Sequence, residues 1–108
     1  MSDFIQAAKL DDLAPGVGTV VIVDGKSVAL FNVDGTIYAM EDTCPHQGSS
    51  LGMGQLEGSV VKCRGHGMRF SVVTGLMPGS ESFGVKTYPV EVVDGKIMVD
   101  VSSTQEAV

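Results

Sequence analysis

The sequence is poor in several features that would define a function, and each shortage excludes a class of protein. Its 108 residues contain no apolar run near the roughly 20 residues that span a bilayer, so we expect no contact with a membrane. The first residues, Met1 to Gln6, lack the basic and then apolar pattern of a secretory leader, which predicts a cytoplasmic location. The length suits one domain, 1–108, and leaves no room for a second.

Basic residues are also scarce. Seven Lys and Arg stand against 13 Asp and Glu, which gives a formal net charge of −6. A surface of that sign repels phosphate backbones, so we expect no nucleic-acid partner. The charge favours approach to a basic patch on another protein, or it serves only to keep the protein in solution.

Three Asp-Gly pairs separate runs that are rich in Val and Ile. Asp-Gly is typical of the two-residue turn of a β-hairpin. The pairs are Asp24-Gly25, Asp34-Gly35 and Asp94-Gly95, and the predicted strands are 18–23, 27–33, 36–40, 59–62, 86–93 and 96–101. Only Phe4 to Leu13 is suited to a helical turn, which Pro15-Gly16 would end. The pattern predicts an all-β fold, built as a meander with a late returning hairpin.

The segment from Cys44 to Gly79 differs in composition, since it holds eight of the 14 glycines. It also holds both cysteines and both histidines of the chain. An irregular segment of that length is uncommon inside a small β domain unless something orders it. We therefore predict an inserted subdomain, about 43–79, that is organised by a bound group.

The cysteines and histidines form two short motifs, Cys44-Pro45-His46 and Cys63-Arg64-Gly65-His66. Thiolate together with imidazole suits zinc or an iron–sulfur cluster. The single residue between Cys44 and His46 is tight for two ligands of one tetrahedral zinc ion, and it fits better when the two side chains bind adjacent irons. A structural or regulatory module that holds zinc stays open as an alternative.

In residue identity and spacing these motifs resemble the signature of the Rieske [2Fe–2S] proteins. The likeness continues through Phe70, Thr74-Gly75, Tyr88-Pro89-Val90 and the Asp94-Gly95 turn. The resemblance implies a Rieske-like antiparallel β-sandwich with an inserted cluster-binding subdomain. It also implies one [2Fe–2S] cluster, with one iron bound by two cysteines and the other by two histidines. The implied ligands are Cys44, His46, Cys63 and His66.

Among Rieske proteins, the chain is similar to the stand-alone ferredoxins that serve bacterial aromatic-ring dioxygenases. This implies a monomeric one-electron carrier that is not itself an enzyme. Its partners would be an NAD(P)H-dependent flavoprotein reductase and a terminal oxygenase. The chain carries no dinucleotide-binding fingerprint that would support a catalytic role, since the Gly16-x-Gly18 pair lacks the rest of that motif. A Rieske subunit of another oxidoreductase, such as nitrite reductase, is the remaining alternative.

Charge is distributed unevenly along the chain. Between Cys44 and Pro78 the charged residues sum to +2, so the remainder carries −8; they are Glu57, Lys62, Arg64 and Arg69. The resemblance places His46 and His66 at an exit face for the electron, together with Gln47 and the loop near Pro78. We expect that face to be neutral to basic and the rest of the β domain to be acidic, which would orient the protein when it meets a partner.

Overall fold

The computed structural model describes residues 4–42, 50–63, 69–77 and 84–101, and within them the chain is built almost entirely of strands. The ten strands are β1 Ile5–Lys9, β2 Gly18–Val23, β3 Lys26–Val33, β4 Thr36–Glu41, β5 Gln55–Glu57, β6 Val60–Lys62, β7 Arg69–Ser71, β8 Thr87–Tyr88, β9 Val90–Val93 and β10 Lys96–Val99. One short 3₁₀ helix, Leu10–Asp12, follows β1. No helix in the described ranges has the length and apolar character needed to cross a membrane.

The strands form three antiparallel sheets. A four-stranded sheet has the order β2-β3-β4-β8, and two three-stranded sheets have the orders β1-β10-β9 and β5-β6-β7. The two-residue turns after β2, β3 and β9 fall on the predicted Asp-Gly pairs. Their aspartates have φ between 50° and 51°, and the glycines that follow also have positive φ. Because a hairpin turn of this kind needs two residues in the left-handed region, the Asp-Gly pairs determine where the meander reverses.

The four-stranded sheet is buried on both faces. Successive side chains of a strand point to opposite faces, and in β3 the residues Val28 and Leu30 belong to one hydrophobic cluster, shared with Ile97 and Val99 of β10. Their neighbours Ala29 and Phe31 belong to a second cluster, shared with β6 and β7. The sandwich is therefore confirmed, and the sheet β5-β6-β7 packs on the face of the central sheet that β10 does not cover.

The structure refines one sequence prediction about secondary structure and contradicts another. The segment Phe4 to Leu13 does hold a helical turn, the 3₁₀ helix Leu10–Asp12, but its first part is β1, which pairs with β10. The backbone N–H of Leu10 donates to the carbonyl of Gly95 over 2.8 Å, so this segment takes its conformation from a distant hairpin. The single strand predicted for 86–93 is two strands in different sheets, because Pro89 has no N–H to continue a ladder.

Candidate metal centre

The sheet β5-β6-β7 presents three rows of side chains across its strands. The rows, read from the register, are Gln55–Lys62–Arg69, Leu56–Val61–Phe70 and Glu57–Val60–Ser71. The middle row belongs to or packs against the second hydrophobic cluster. The first row is exposed and stands at the end of the sheet where β6 runs into Cys63. Sequence reasoning predicted β6 but not β5 or β7, because three-residue strands carry too little pattern to be recognised.

Cys63 is the one predicted ligand that the structure describes. It follows β6 directly, is 1% exposed, and belongs to the same buried cluster as Val61 and Phe70. The strand thus carries the sulfur out of water into apolar surroundings. Cys44, His46 and His66 lie outside the described residues, as do Gln47 and Pro78 of the predicted exit face.

The ends of the first motif-bearing segment, 43–49, are joined by hydrogen bonds to Asp42. The carboxylate of Asp42 accepts from the hydroxyl of Ser50 and from the backbone N–H of Gly52, each over 2.8 Å. The carbonyl of Asp42 accepts from the N–H of Leu51 over 2.6 Å. Asp42 is 7% exposed, so these bonds form in a largely dry setting. The segment that contains Cys44 and His46 therefore begins and ends at one fixed place.

The second motif-bearing segment, 64–68, is closed in the same way by strand pairing. Lys62 and Arg69 are direct partners in the β6-β7 ladder. Directly opposed residues of antiparallel strands have Cα atoms about 4.5–5.5 Å apart. The two strands on either side of the segment that contains His66 therefore lie side by side.

Gly54 lies where the turn after the first segment packs against β6. Its N–H donates to the carbonyl of Leu51 over 3.0 Å, and Leu51 is bound to Asp42. A Cβ atom at Gly54 would collide with the carbonyl oxygen of Lys62, the residue before Cys63. Only a residue without a side chain permits this approach. The turn that follows the first segment is thereby packed against the strand that leads into the second.

Asp42 and Gly54 were missed by sequence reasoning. Asp42 is one of 13 acidic residues and Gly54 one of 14 glycines, and neither stands in a motif. The position of Asp42 two residues before Cys44 is the only sequence feature that points to it.

Replacement of Asp42 by Ala is expected to destabilise the protein and to weaken retention of the bound metal. The substitution leaves the buried N–H of Gly52 and the hydroxyl of Ser50 without their acceptor, at a cost of about 1–3 kcal/mol. Denaturation followed by visible absorbance, together with iron per chain after exposure to a chelator, measures both effects.

Two variants serve as controls for that substitution. Asp42→Asn keeps an oxygen acceptor at the same place, and Ser50→Ala removes only one of the bonds. Both are expected to lose about 1 kcal/mol or less and to keep their iron. Equal loss in Asp42→Asn and Asp42→Ala would contradict the role given to the acceptor oxygen.

The described part of the site fits an iron–sulfur cluster. A bare thiolate at Cys63 would be costly among aliphatic side chains, since burying an isolated charge is strongly unfavourable. Coordination to ferric iron would remove that cost. With the predicted ligand set of two thiolates and two neutral imidazoles, two ferric ions and two sulfides would sum to zero charge, which suits a dry position. The fold and the buried thiol fit a small all-β iron–sulfur domain.

The family model for the Rieske-like [2Fe-2S] domain matches residues 3–100. This chain belongs to that family and carries one Rieske-type [2Fe–2S] cluster. Membership supports iron and sulfide over the zinc alternative. It also confirms the all-β Rieske-like sandwich predicted from the sequence.

Similar proteins are found over nearly the whole chain. The ferredoxin component of the naphthalene 1,2-dioxygenase system from Pseudomonas putida is 37% identical over 100 residues, covering 92% of this chain and 96% of that protein. A chain in a solved complex of oxygenase and ferredoxin of carbazole 1,9a-dioxygenase is 32% identical, with a TM-score of 0.83, and the match covers 93% of this chain and 94% of that one.

A third similar protein comes from a different kind of system. A structure described as the small subunit of an NADPH nitrite reductase is 28% identical, with a TM-score of 0.76, over 89% of this chain and 96% of that one. Relatives of this chain are therefore named as carriers that serve larger enzymes, and the chain is an electron carrier of the ferredoxin type rather than a catalyst.

Proposed function

We propose that this protein is the ferredoxin component of an aromatic-ring dioxygenase system. It accepts one electron from an NAD(P)H-dependent flavoprotein reductase and delivers it to a terminal oxygenase, and it acts as a monomer in the cytoplasm. The observation that carries the proposal is the similarity to the naphthalene system's ferredoxin component, which spans 92% of this chain and 96% of that protein. The carbazole complex supports the oxygenase as a partner, because it holds a similar ferredoxin on its oxygenase.

We further propose that Cys44, His46, Cys63 and His66 bind the cluster, within a subdomain of about 43–79 in a single Rieske domain, 1–108. The burial of Cys63 at the end of β6 supports its share of the ligand set. The closure of 43–49 at Asp42 and of 64–68 at the Lys62–Arg69 pair supports the rest. These two segments contain three of the proposed donors, and Cys63, which directly precedes the second segment, is the fourth.

This ligand set explains why the protein carries electrons and does no chemistry on a substrate. The four side chains would supply every iron ligand other than the sulfides, so the bound cluster would provide one-electron exchange and leave no position for a substrate. Reduction takes the site only from zero to −1, whereas a four-cysteine site would go from −2 to −3. Histidine ligation therefore raises the reduction potential relative to four cysteines. The protein matrix keeps the Cys63 sulfur dry, and the resemblance to Rieske proteins implies that the two histidines face the partners.

Absorption and rapid mixing test the proposal. The purified protein is expected to be red-brown and to bleach on reduction with dithionite, with two irons and two sulfides per chain. The reduced protein is then mixed with oxidised terminal oxygenase from the naphthalene or carbazole system. Reoxidation of the carrier within the turnover time of the oxygenase is the expected result. A carrier that reduces neither oxygenase would contradict the assignment.

A nitrite reductase subunit is the second candidate, favoured by the similar structure described above. The same reduced protein distinguishes the two. A subunit of nitrite reductase would copurify with its large subunit and support reduction of nitrite. A dioxygenase ferredoxin would purify alone and support dihydroxylation of an aromatic ring in the presence of its reductase and oxygenase.

A further inference from the structure

The exposed row Gln55–Lys62–Arg69 carries two cations and no carboxylate. Lys62 and Arg69 are direct cross-strand partners, both exposed, and Gln55 is the partner of Lys62 on its other side. The nearest acidic residue of the same sheet, Glu57, lies at the other end of β5, about 6–7 Å along the strand. Within the described residues neither cation of the row has a hydrogen bond or ion pair to an acidic side chain.

Opposed like charges are not by themselves a sign of function, because Lys9 and Lys96 form the same arrangement between β1 and β10. That pair has three acidic residues within three positions along the chain: Asp11, Asp12 and Asp94. It also lies on the sheet that packs into the other hydrophobic cluster. Both pairs are therefore opposed cations on neighbouring strands, but they differ in the number of acidic residues nearby and in the sheet to which they belong.

The Lys62–Arg69 pair lies next to Cys63, and this position suggests that it contacts a partner. Cys63 directly follows Lys62, and the segment 64–68 with His66 begins and ends between the two cations. Because Lys62 and Arg69 stand on either side of the segment that contains His66, a protein that docks over that segment would also contact this row. Covering two cations without compensation removes them from water at a cost, and carboxylates on the approaching surface offset that cost.

We propose that the row Gln55–Lys62–Arg69 is a docking surface for the terminal oxygenase, which presents carboxylates to it. This inference rests on the proposed function. Two opposed cations with no acidic partner among the described residues call for carboxylates on the occupant. A similar ferredoxin is in complex with its oxygenase in the carbazole system, which favours the oxygenase as that occupant. The row then orients an otherwise acidic protein so that the predicted histidine ligands face the oxygenase.

Stopped-flow mixing of the dithionite-reduced protein with an oxidised terminal oxygenase tests this surface. The probe is whichever oxygenase of the naphthalene or carbazole system the wild-type protein reduces faster. At low ionic strength Lys62→Gln with Arg69→Gln is expected to slow the second-order rate roughly tenfold, and to flatten its dependence on salt. The visible spectrum and midpoint potential serve as checks that the cluster is intact.

The matched control is Lys9→Gln with Lys96→Gln, which removes the same charge from the same kind of cross-strand pair. Its rate is expected to stay within about twofold of wild type, because these side chains lie in the sheet β1-β10-β9 rather than in the sheet that leads into Cys63. An equal slowing in both double variants would overturn the proposal in favour of overall charge. An unchanged oxygenase rate in the Lys62 and Arg69 variant, with or without slower reduction by the flavoprotein reductase, would also overturn it.

The test separates failure of the surface from failure of the proposed function. If the wild-type protein reduces an oxygenase and the Lys62 and Arg69 variant does so equally fast, only the surface is wrong. If the wild-type protein reduces neither oxygenase, the function is contradicted and the surface with it.

Discussion

The Cys63→Ser variant is expected to purify without its cluster, with fewer than two irons per chain and no visible absorbance. A serine hydroxyl is a poor ligand for iron, and Cys63 is 1% exposed, so no outside thiol replaces it. Because metal binding and folding are coupled at such sites, the loss should extend to the structure of the surrounding subdomain. Iron and sulfide analysis, visible absorbance and amide hydrogen exchange of β5 to β7 measure the effect.

Val61→Ala is the control for that variant. Val61 lies in β6, two residues before Cys63, and belongs to the same buried cluster. Its truncation is expected to cost about 1–3 kcal/mol of stability while the folded protein keeps two irons per chain. A Cys63→Ser protein that retained two irons and two sulfides would show that Cys63 is not a ligand.

The Gly54→Ala variant is expected to be destabilised by about 2–3 kcal/mol and to release its cluster more readily than wild type. The added Cβ would meet the carbonyl oxygens of Lys62 and Leu51, which are backbone atoms and cannot rotate away. The turn after Leu51 would have to separate from β6 just before Cys63. Chemical denaturation and the rate of bleaching with a chelator provide the measurements.

Gly58→Ala is the comparison for Gly54→Ala, since it makes the same change in the turn between β5 and β6. No atom lies within 4 Å of a Cβ at Gly58, and its φ is +63°. The expected cost is therefore only the backbone strain of about 1 kcal/mol, with normal cluster retention. If the two variants behaved alike, the close approach of Gly54 to β6 would not hold the segments together.

The sequence alone determined the features that depend on residues near one another in the chain. The Asp-Gly turns are local, because two consecutive residues with positive φ reverse a strand wherever they occur. The four candidate ligands are local in the same sense, since each cysteine stands within three residues of a histidine. The turns and the strand runs were thus enough to predict an all-β fold, and the motifs predicted the kind of metal through their resemblance to the Rieske signature.

The tertiary structure decided the features whose partners are distant in sequence. The segment before Leu13 becomes a strand because β10 pairs with it, and Pro89 divides one predicted strand because β8 and β9 have different neighbours. The roles of Asp42 and Gly54 arise in the same way, from contacts with Gly52 and Lys62. The effect of a hydrogen-bond acceptor or of a glycine depends on which distant residues the fold places next to it. Residue propensities and motif spacing do not predict such contacts. Only the packed structure could show how the residues that flank the two motif-bearing segments are held.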